Sequence, residues 1–297
     1  MAMTVMNAVE ELQDCTSLLN SPLELRRFAD EEGYLFFRGL LPRQDVLDVR
    51  REILQIAKKH GWLQPGTDLM DGIVRLDILP IEGTDLWRPL YVDLQKNRAF
   101  HALASHKQML NPMSILFDRP ALAHARNIAR LMYPGTGKFT TPAHQDFFYI
   151  HGTPNTWTGW TPIGDCPADL GGVAVATRSH KSGLLPTRPA VGAGGNGVDL
   201  PESALWRTAE YQAGDVVFFH SYLVHQGQDN DTRDRVRLSV DYRYQSPDEL
   251  INPASMMPHV GVITWEEIYQ SWGTDENDPL KYYWTKMDLK YETAGRR

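Results

Sequence analysis

The residues His144-Gln145-Asp146 place an imidazole and a carboxylate two positions apart. On a β-strand, side chains at positions i and i+2 face the same side, so both groups can reach one ion. Two histidines and one carboxylate on one face of an octahedral iron leave three coordination positions for a bidentate co-substrate and oxygen. A chain of this composition would contain such a pair by chance, and the histidine could simply hydrogen-bond the neighbouring acid. The pair therefore needs a third ligand from elsewhere.

The segment from Gly214 to His225 supplies two candidates for that third ligand. Gly214-Asp215 indicates a turn, and the apolar run Val216–Phe219 indicates a buried strand. A second run begins after a short corner at Ser221-Tyr222. We favour His225, which begins the second run. His220 ends the buried strand and is expected to be a core histidine or to support the site.

The next segment, Arg235 to Tyr242, predicts a strand that carries arginines on one face. Alternation places Arg235, Arg237, Ser239 and Asp241 together and the intervening apolar residues on the opposite face. A guanidinium inside a barrel needs an anionic partner. A dicarboxylate bound bidentately through its far carboxylate would provide one. The alternative is that this face is solvated and that the arginines lie in water.

Composition limits the proteins that could carry these residues. The 297 residues include 30 Lys and Arg against 37 Asp and Glu, and the net charge of −7 argues against a nucleic-acid partner. No apolar run approaches the roughly 18 residues of a membrane-spanning helix, which argues against a membrane partner. Residues 1–12 lack the basic and apolar regions of a secretion signal, and Cys15 and Cys166 imply no disulfide framework. We therefore predict a cytoplasmic protein, and the sequence carries no signal for an oligomeric state.

The order of sequence patterns indicates which elements position these residues. Helical patterns dominate residues 1–127, whereas about 128–246 consists of short apolar runs separated by turn signals, as in an antiparallel sandwich or barrel. Residues 247–297 form a C-terminal extension that includes a helix. We predict one domain over residues 1–297, with a long loop at 187–202 that covers the site. The individual elements predicted in the first part are helices at Pro22–Glu32, from Pro42, at 97–110 and at 119–127, with a strand at Tyr34–Phe37.

Four blocks in a fixed order make the sequence resemble the phytanoyl-CoA dioxygenase family of iron(II)- and 2-oxoglutarate-dependent oxygenases. They span about 130–245, and Gly33 through Arg51 is also similar to the family's usual N-terminus. The resemblance implies a mainly β (α+β) fold, a double-stranded β-helix (jelly roll, cupin-like) buttressed by N-terminal and C-terminal helices. The blocks are Pro142–Asp146, Gly171–Val175 followed by Ser179–Gly183, Gly214–Phe219 with Leu223–His225, and Arg237–Ser239 with Tyr244.

The resemblance also implies a role for individual residues. His144, Asp146 and His225 would be the catalytic iron ligands. Arg237 would bind the far carboxylate of 2-oxoglutarate with help from Ser239, which shares its face. Trp160 would be an aromatic against the co-substrate. Four further candidates follow from their positions: Arg235 as the rival to Arg237, Phe148 as a pocket residue that keeps the parity of the ligands, and Tyr149 and Trp157 as further substrate candidates. Asp146 argues against a halogenase, in which a small residue replaces the carboxylate.

The predicted function is an Fe(II)/2-oxoglutarate-dependent dioxygenase that uses O2 to hydroxylate a C–H bond of a small organic molecule. Succinate and CO2 are its co-products, and ascorbate is a possible supporting reductant. The same chemistry can give desaturation, epimerisation or cyclisation in a biosynthetic pathway. An alternative of another class is a cupin that binds a metal or ligand without oxygen chemistry. Acyl-CoA substrates would need a basic rim, for which Arg178, Lys181 and Arg188 are candidates.

Overall fold

Two β-sheets face each other and helices cover the outer face of the larger one. The computed structural model describes residues 9–135 and 140–293. The prediction that residues 1–12 contain no secretion signal concerns mostly residues 1–8, which lie outside the described residues. The helices are α1 Pro22–Glu32, α2 Arg43–Lys59, α3 Trp87–Gln95, α4 Arg98–Ala104, α5 Lys107–Phe117, α6 Phe147–Ile150 and α7 Trp265–Gln270. The strands are β1 Glu10–Glu11, β2 Tyr34–Phe37, β3 Leu122–Ala123, β4 Ile128–Met132, β5 Trp157–Pro162, β6 Val173–Ala176, β7 Arg188–Pro189, β8 Asn196–Gly197, β9 Trp206–Thr208, β10 Val216–His220, β11 His225–Gly227 and β12 Arg237–Gln245.

The larger sheet has the strand order β2-β10-β5-β12-β3, with β4 also paired to β12. The smaller sheet has the order β1-β9-β6-β11, and β7 pairs with β8 as a separate hairpin. No helix in the described part of the chain is long and apolar enough to cross a membrane. The two facing sheets with flanking helices agree with the predicted fold class.

Strand β10 contains the continuous apolar run of residues 216–219, and both of its faces are buried. Val216 and Phe218 pack into the core between the larger sheet and the helices. Val217 and Phe219 pack into the core between the two sheets. Both faces of this strand pack against apolar side chains, so its residues form an uninterrupted apolar run.

The two faces of strand β12 differ in polarity, although both are buried. Val240, Tyr242 and Tyr244 belong to the core under the helices. The alternate positions are also buried, but they carry polar side chains that face the smaller sheet: Arg237, Ser239, Asp241 and Arg243. The strand therefore brings charged groups into the interior of the sandwich.

Most of the predicted N-terminal elements are present. Helix α1 ends where Gly33 adopts a left-handed conformation (φ 81°), and a side chain there would collide with His180. The predicted helix at 119–127 is wrong: Leu122 and Ala123 form β3, in which Ala123 pairs with Tyr244 of β12. A free position on the sheet edge outweighed the local helix propensity. The predicted stretch at 97–110 is two helices, α4 and α5, interrupted at Ser105.

Candidate metal and co-substrate site

His144 and His225 lie side by side at the edge of the smaller sheet. Their backbones form an antiparallel bridge, with both N–H···O hydrogen bonds at 3.0 Å. In each residue Nδ1 lies within hydrogen-bond distance of a carbonyl two positions earlier, Pro142 O at 2.8 Å and Leu223 O at 2.9 Å. A carbonyl can only accept, so Nδ1–H donates and Nε2 keeps a free lone pair. Both rings are therefore oriented as metal ligands.

The carboxylate of Asp146 completes a compact donor set. Its Oδ1 lies 3.6 Å from Nε2 of His144 and 3.9 Å from Nε2 of His225. All three residues are buried, and their candidate ligand atoms lie within 4.8 Å of one another. Two imidazoles and one carboxylate in this arrangement suit a non-haem iron(II) centre.

The charge states of these groups suit a divalent cation. Burial lowers the pKa of His225 to about 3, so its imidazole is neutral at pH 7 and can donate a lone pair. Burial would raise the pKa of Asp146, but the positive charge of Arg243 and the contacts with the two histidines outweigh it and hold that pKa well below its usual value. The carboxylate is therefore ionised.

Two further residues hold Asp146 in place. Thr158 on β5 donates its hydroxyl to Oδ2 at 2.5 Å, and Nη2 of Arg243 on β12 lies 3.4 Å from Oδ1. Sequence reasoning selected neither Thr158 nor Arg243 as a site residue. Both could have been found by alternation, since Arg243 shares the parity of Arg237 and Thr158 shares that of Trp160.

We expect Thr158→Val to lower iron affinity about 10- to 100-fold, because the ligand carboxylate loses the hydroxyl that orients it. Iron affinity can be measured by competition with a chelator of known affinity. The matched control is Thr161→Val on the same strand, whose hydroxyl bonds the Asp215 carbonyl at 2.7 Å, away from the metal ligands. Equal losses of iron affinity in both variants would contradict an orienting role for Thr158.

A small cavity of about 30 Å³ joins the metal ligands to Arg237 and Trp160. Nη1 of Arg237 donates to the carbonyls of Gly171 at 3.0 Å and Gly172 at 3.3 Å. Its Nε and the hydroxyl of Ser239 are buried and have no hydrogen-bond partner among the described residues. Buried donors without partners are rare in proteins. A carboxylate oxygen would satisfy both, so these residues fit the far end of 2-oxoglutarate.

Arg235 does not line the cavity that contains Arg237 and the metal ligands. Its side chain is exposed and lines a broad cleft that includes Arg43 and Asp165 but none of the metal ligands. Its backbone forms an isolated antiparallel bridge with Ile73, before β12 begins at Arg237. The alternation that groups Arg235 with Arg237 therefore does not extend to it.

The predicted substrate residues are separated by the structure. Tyr149 lines a chamber of about 390 Å³ beside the metal ligands. Phe148 is 37% exposed, because the chain leaves the extended conformation after Asp146 and forms α6, which ends the strand parity. Trp157 packs in the core under the helices, on the opposite face of β5 from Thr158. Neither Phe148 nor Trp157 lines the two cavities at the metal ligands.

His220 also lies outside the donor set. Its ring contacts Trp157 at 5.6 Å between centroids, and its Nδ1 accepts the backbone N–H of Tyr222 at 3.0 Å. Burial lowers its pKa to about 4. His220 is thus a neutral histidine that packs beneath the corner between β10 and β11.

The predicted covering loop contains the β7–β8 hairpin. Ala193 and Gly194 at its tip line the chamber beside the metal ligands, and the Gly194 carbonyl accepts a hydrogen bond from Tyr149 at 3.1 Å. The loop therefore forms one wall of the chamber, and its control of substrate selectivity stays a prediction.

Comparisons with known proteins agree with this geometry. Residues 29–238 match the family described as Phytanoyl-CoA dioxygenase (PhyH). The chain is 31% identical to the 1-deoxypentalenic acid 11-beta-hydroxylase of Streptomyces arenae over 249 residues, which is 78% of this chain and 84% of that protein. It is 25% identical to human peroxisomal phytanoyl-CoA dioxygenase, over 71% of this chain and 64% of that protein.

A solved structure shares the fold. The epimerase SnoN, in complex with Fe3+, alpha ketoglutarate and nogalamycin RO, superposes with a TM-score of 0.54 at 20% identity, covering 79% of this chain and 87% of that chain. The predicted fold class is confirmed. The division of the chain into a helical part, a jelly-roll core and an extension stays a prediction, and strands β2 and β3 show that the part before residue 128 also contributes to the larger sheet.

Proposed function

The chain belongs to the phytanoyl-CoA dioxygenase family, and we propose that it hydroxylates a C–H bond of a small organic molecule with iron(II), 2-oxoglutarate and O2, releasing succinate and CO2. One observation carries the proposal: a buried metal-binding triad shares a cavity with a buried arginine and serine that have no partners. Iron, when bound, supplies the redox chemistry that couples oxidation of the co-substrate to oxidation of the C–H bond.

We assign the residues of this chain to separate tasks. His144, Asp146 and His225 would hold the iron, and the Pro142 and Leu223 carbonyls keep the two imidazoles in the correct tautomer. Arg237 and Ser239 would bind the far carboxylate of 2-oxoglutarate. Because they share a buried cavity with the metal ligands, they would orient the co-substrate towards those ligands and away from solvent.

Apolar side chains exclude water from the same region. The ring of Phe219 packs on His225 at 4.1 Å between centroids. Trp160 and Val173 line the small cavity on its other sides. A dry site limits oxidation to the C–H bond that the chamber presents.

Arg237 favours an oxygenase over a metal-binding cupin of another class. A buried guanidinium costs free energy unless an anion compensates it. A protein that only binds a metal has no use for such a residue and would have an apolar side chain there. The Arg237–Ser239 pair is therefore the feature that distinguishes the two functions.

The surface favours a small substrate over a coenzyme A thioester. The three cations considered for a coenzyme A rim are already paired with acids: Arg178 with Glu32 at 2.5 Å, Lys181 with Asp30 at 2.8 Å and Arg188 with Asp199 at 2.7 Å. Binding the phosphates of coenzyme A would require these pairs to break. The relative from Streptomyces arenae is named for hydroxylation of an acid, not of a thioester.

The first test is turnover without added substrate. We expect the purified protein with Fe(II), ascorbate and O2 to convert 2-oxoglutarate slowly to succinate, because the metal and co-substrate sites are complete in this chain. We also expect 2-oxoglutarate to raise the melting temperature in the presence of a divalent metal. Absence of both responses would refute the oxygenase assignment.

A metabolite screen then identifies the substrate and the type of product. Substrates are detected as compounds that accelerate 2-oxoglutarate consumption, and mass spectrometry of the product distinguishes the outcomes. Hydroxylation adds one oxygen, desaturation or ring closure removes two hydrogens, and epimerisation leaves the mass unchanged. The cytoplasmic location and the absence of nucleic-acid and membrane partners stay predictions.

A further inference from the structure

The chamber beside the metal ligands carries an uncompensated cation. Three arginines line it, Arg126, Arg130 and Arg243, against two carboxylates, Glu82 and Asp146. The arginines differ in whether they have a partner. That difference indicates what the chamber binds.

Two of the arginines have anionic partners within the protein. Nε of Arg130 donates to Asp241 at 2.8 Å, and its Nη1 lies 3.3 Å from Glu82. Arg243 lies beside Asp146. Both guanidinium groups are therefore used to hold acidic residues of the site.

Arg126 has no such partner. Its side chain makes no ion pair or hydrogen bond with the described residues, and its Nε is buried. Only its backbone is held, by the hydrogen bond from its N–H to the Ser255 carbonyl at 3.0 Å. Burial lowers the pKa of Arg126 to about 10, so the side chain is charged at neutral pH.

The neighbouring histidines add no further charge to the chamber. His124 and His259 line the same chamber. Burial lowers the pKa of His124 to about 4 and holds the pKa of His259 well below its usual value, so both are neutral. A single positive charge that faces the chamber matches an anion with a single negative charge.

Apolar side chains also line the chamber that Arg126 faces. Ile128, Ile150 and Pro258 line the chamber together with the hairpin tip. A second cavity of about 310 Å³ shares Ala193, Gly194 and Val260 with it. That second cavity is lined by Trp87, Leu131, Met132 and Val262. A bound molecule would thus meet the unpaired guanidinium of Arg126 and apolar side chains in both cavities, beside the Arg130–Glu82 pair that the two cavities also share.

We propose that Arg126 binds a carboxylate of the substrate, and that the substrate is a hydrophobic carboxylic acid taken as the free acid. This inference rests on the proposed function of the same site. The ion pair would fix one end of the molecule, and the apolar walls would accommodate its carbon skeleton. Together they determine which C–H bond lies nearest the metal ligands.

The test compares acids with uncharged amides of the same shape. The probes are cyclohexanecarboxylate, adamantane-1-carboxylate and dehydroabietate, each paired with its primary amide. Binding to the protein loaded with Ni(II) and 2-oxoglutarate is measured by calorimetry, since nickel does not support turnover. We expect at least one acid to bind about 10- to 100-fold more tightly than its amide, the range of a charge-assisted hydrogen bond.

Variants assign the preference to Arg126. We expect Arg126→Gln to reduce the acid preference to near unity and Arg126→Lys to retain part of it. Arg51→Gln is the matched control, because Arg51 lies on the surface of α2 in a pair with Asp48, and it should leave the preference unchanged. Thermal unfolding with and without 2-oxoglutarate verifies that each variant retains its fold and co-substrate site.

Three results would overturn the inference: no acid binds, acids and amides bind equally, or Arg126→Gln keeps the preference. Basal succinate formation by the unmodified protein separates these results from a failure of the proposed function. If that activity is present while the acids fail, the enzyme is an oxygenase for a different class of substrate.

Discussion

Replacing His225 by alanine is expected to abolish iron binding and to reduce 2-oxoglutarate turnover to background. The reason is geometric: Nε2 of His225 is one of three donor atoms that lie within 4.8 Å of one another, and the described residues offer no other such group of histidine, cysteine or acidic residues. Two remaining ligands cannot hold the ion in the facial arrangement that leaves positions for co-substrate and oxygen. Metal content after dialysis and succinate release in the same preparation measure the effect.

His220→Ala is the matched control, because the same residue type is removed five positions earlier. His220 packs against Trp157 and makes no contact with the donor set. We expect that variant to bind iron normally and to lose only stability, since burial of its ring is lost. Iron loss in His220→Ala together with retention in His225→Ala would reverse the ligand assignment.

Arg237→Gln is expected to raise the KM for 2-oxoglutarate about 30-fold or more, the cost of removing one partner of a buried charged pair. The side chain is 3% exposed, so water cannot replace the lost guanidinium. Binding of iron should change much less, because the metal ligands do not contact Arg237. Steady-state kinetics over a wide range of 2-oxoglutarate concentration separates KM from kcat.

Arg235→Gln is the control for charge, because Arg235 is exposed and lies outside the cavity. Its KM for 2-oxoglutarate should equal that of the unmodified protein. Arg237 also bonds the carbonyls of Gly171 and Gly172, so Arg237→Lys tests whether restoring the charge recovers binding. A KM increase in Arg235→Gln, or none in Arg237→Gln, would contradict the assignment.

Local signals in the sequence predicted several elements well. Pro22 opens α1 and Gly33 ends it, because each has a backbone preference that does not depend on distant residues. The apolar run at β10 and the alternation along β12 are similarly local, and both patterns are as expected except at Arg235, which is exposed. The His144–Asp146 pair was identified for the same reason.

Other predictions failed where a distant segment decides the outcome. Residues 119–127 have helical character, but Ala123 pairs with Tyr244, more than one hundred residues away. Phe148 was expected to share the face of the ligands, but the chain turns into α6 directly after Asp146. At the start of α6 the Phe147 N–H donates to the Ser221 carbonyl at 3.1 Å. In both cases a backbone hydrogen bond to a remote segment overrides the local pattern.

The sequence by itself determined the chemistry available to this protein: an imidazole–carboxylate pair, a later histidine, and a strand with inward arginines. Only the tertiary structure separated His225 from His220 and Arg237 from Arg235, and only it showed that Arg126 lacks a partner. The physical reason is that residue type and spacing fix which groups share a face, whereas burial and pairing depend on segments that meet through folding. The function of a buried charged group therefore depends on whether another segment of the chain supplies the opposite charge. Where no segment does, a ligand can supply it.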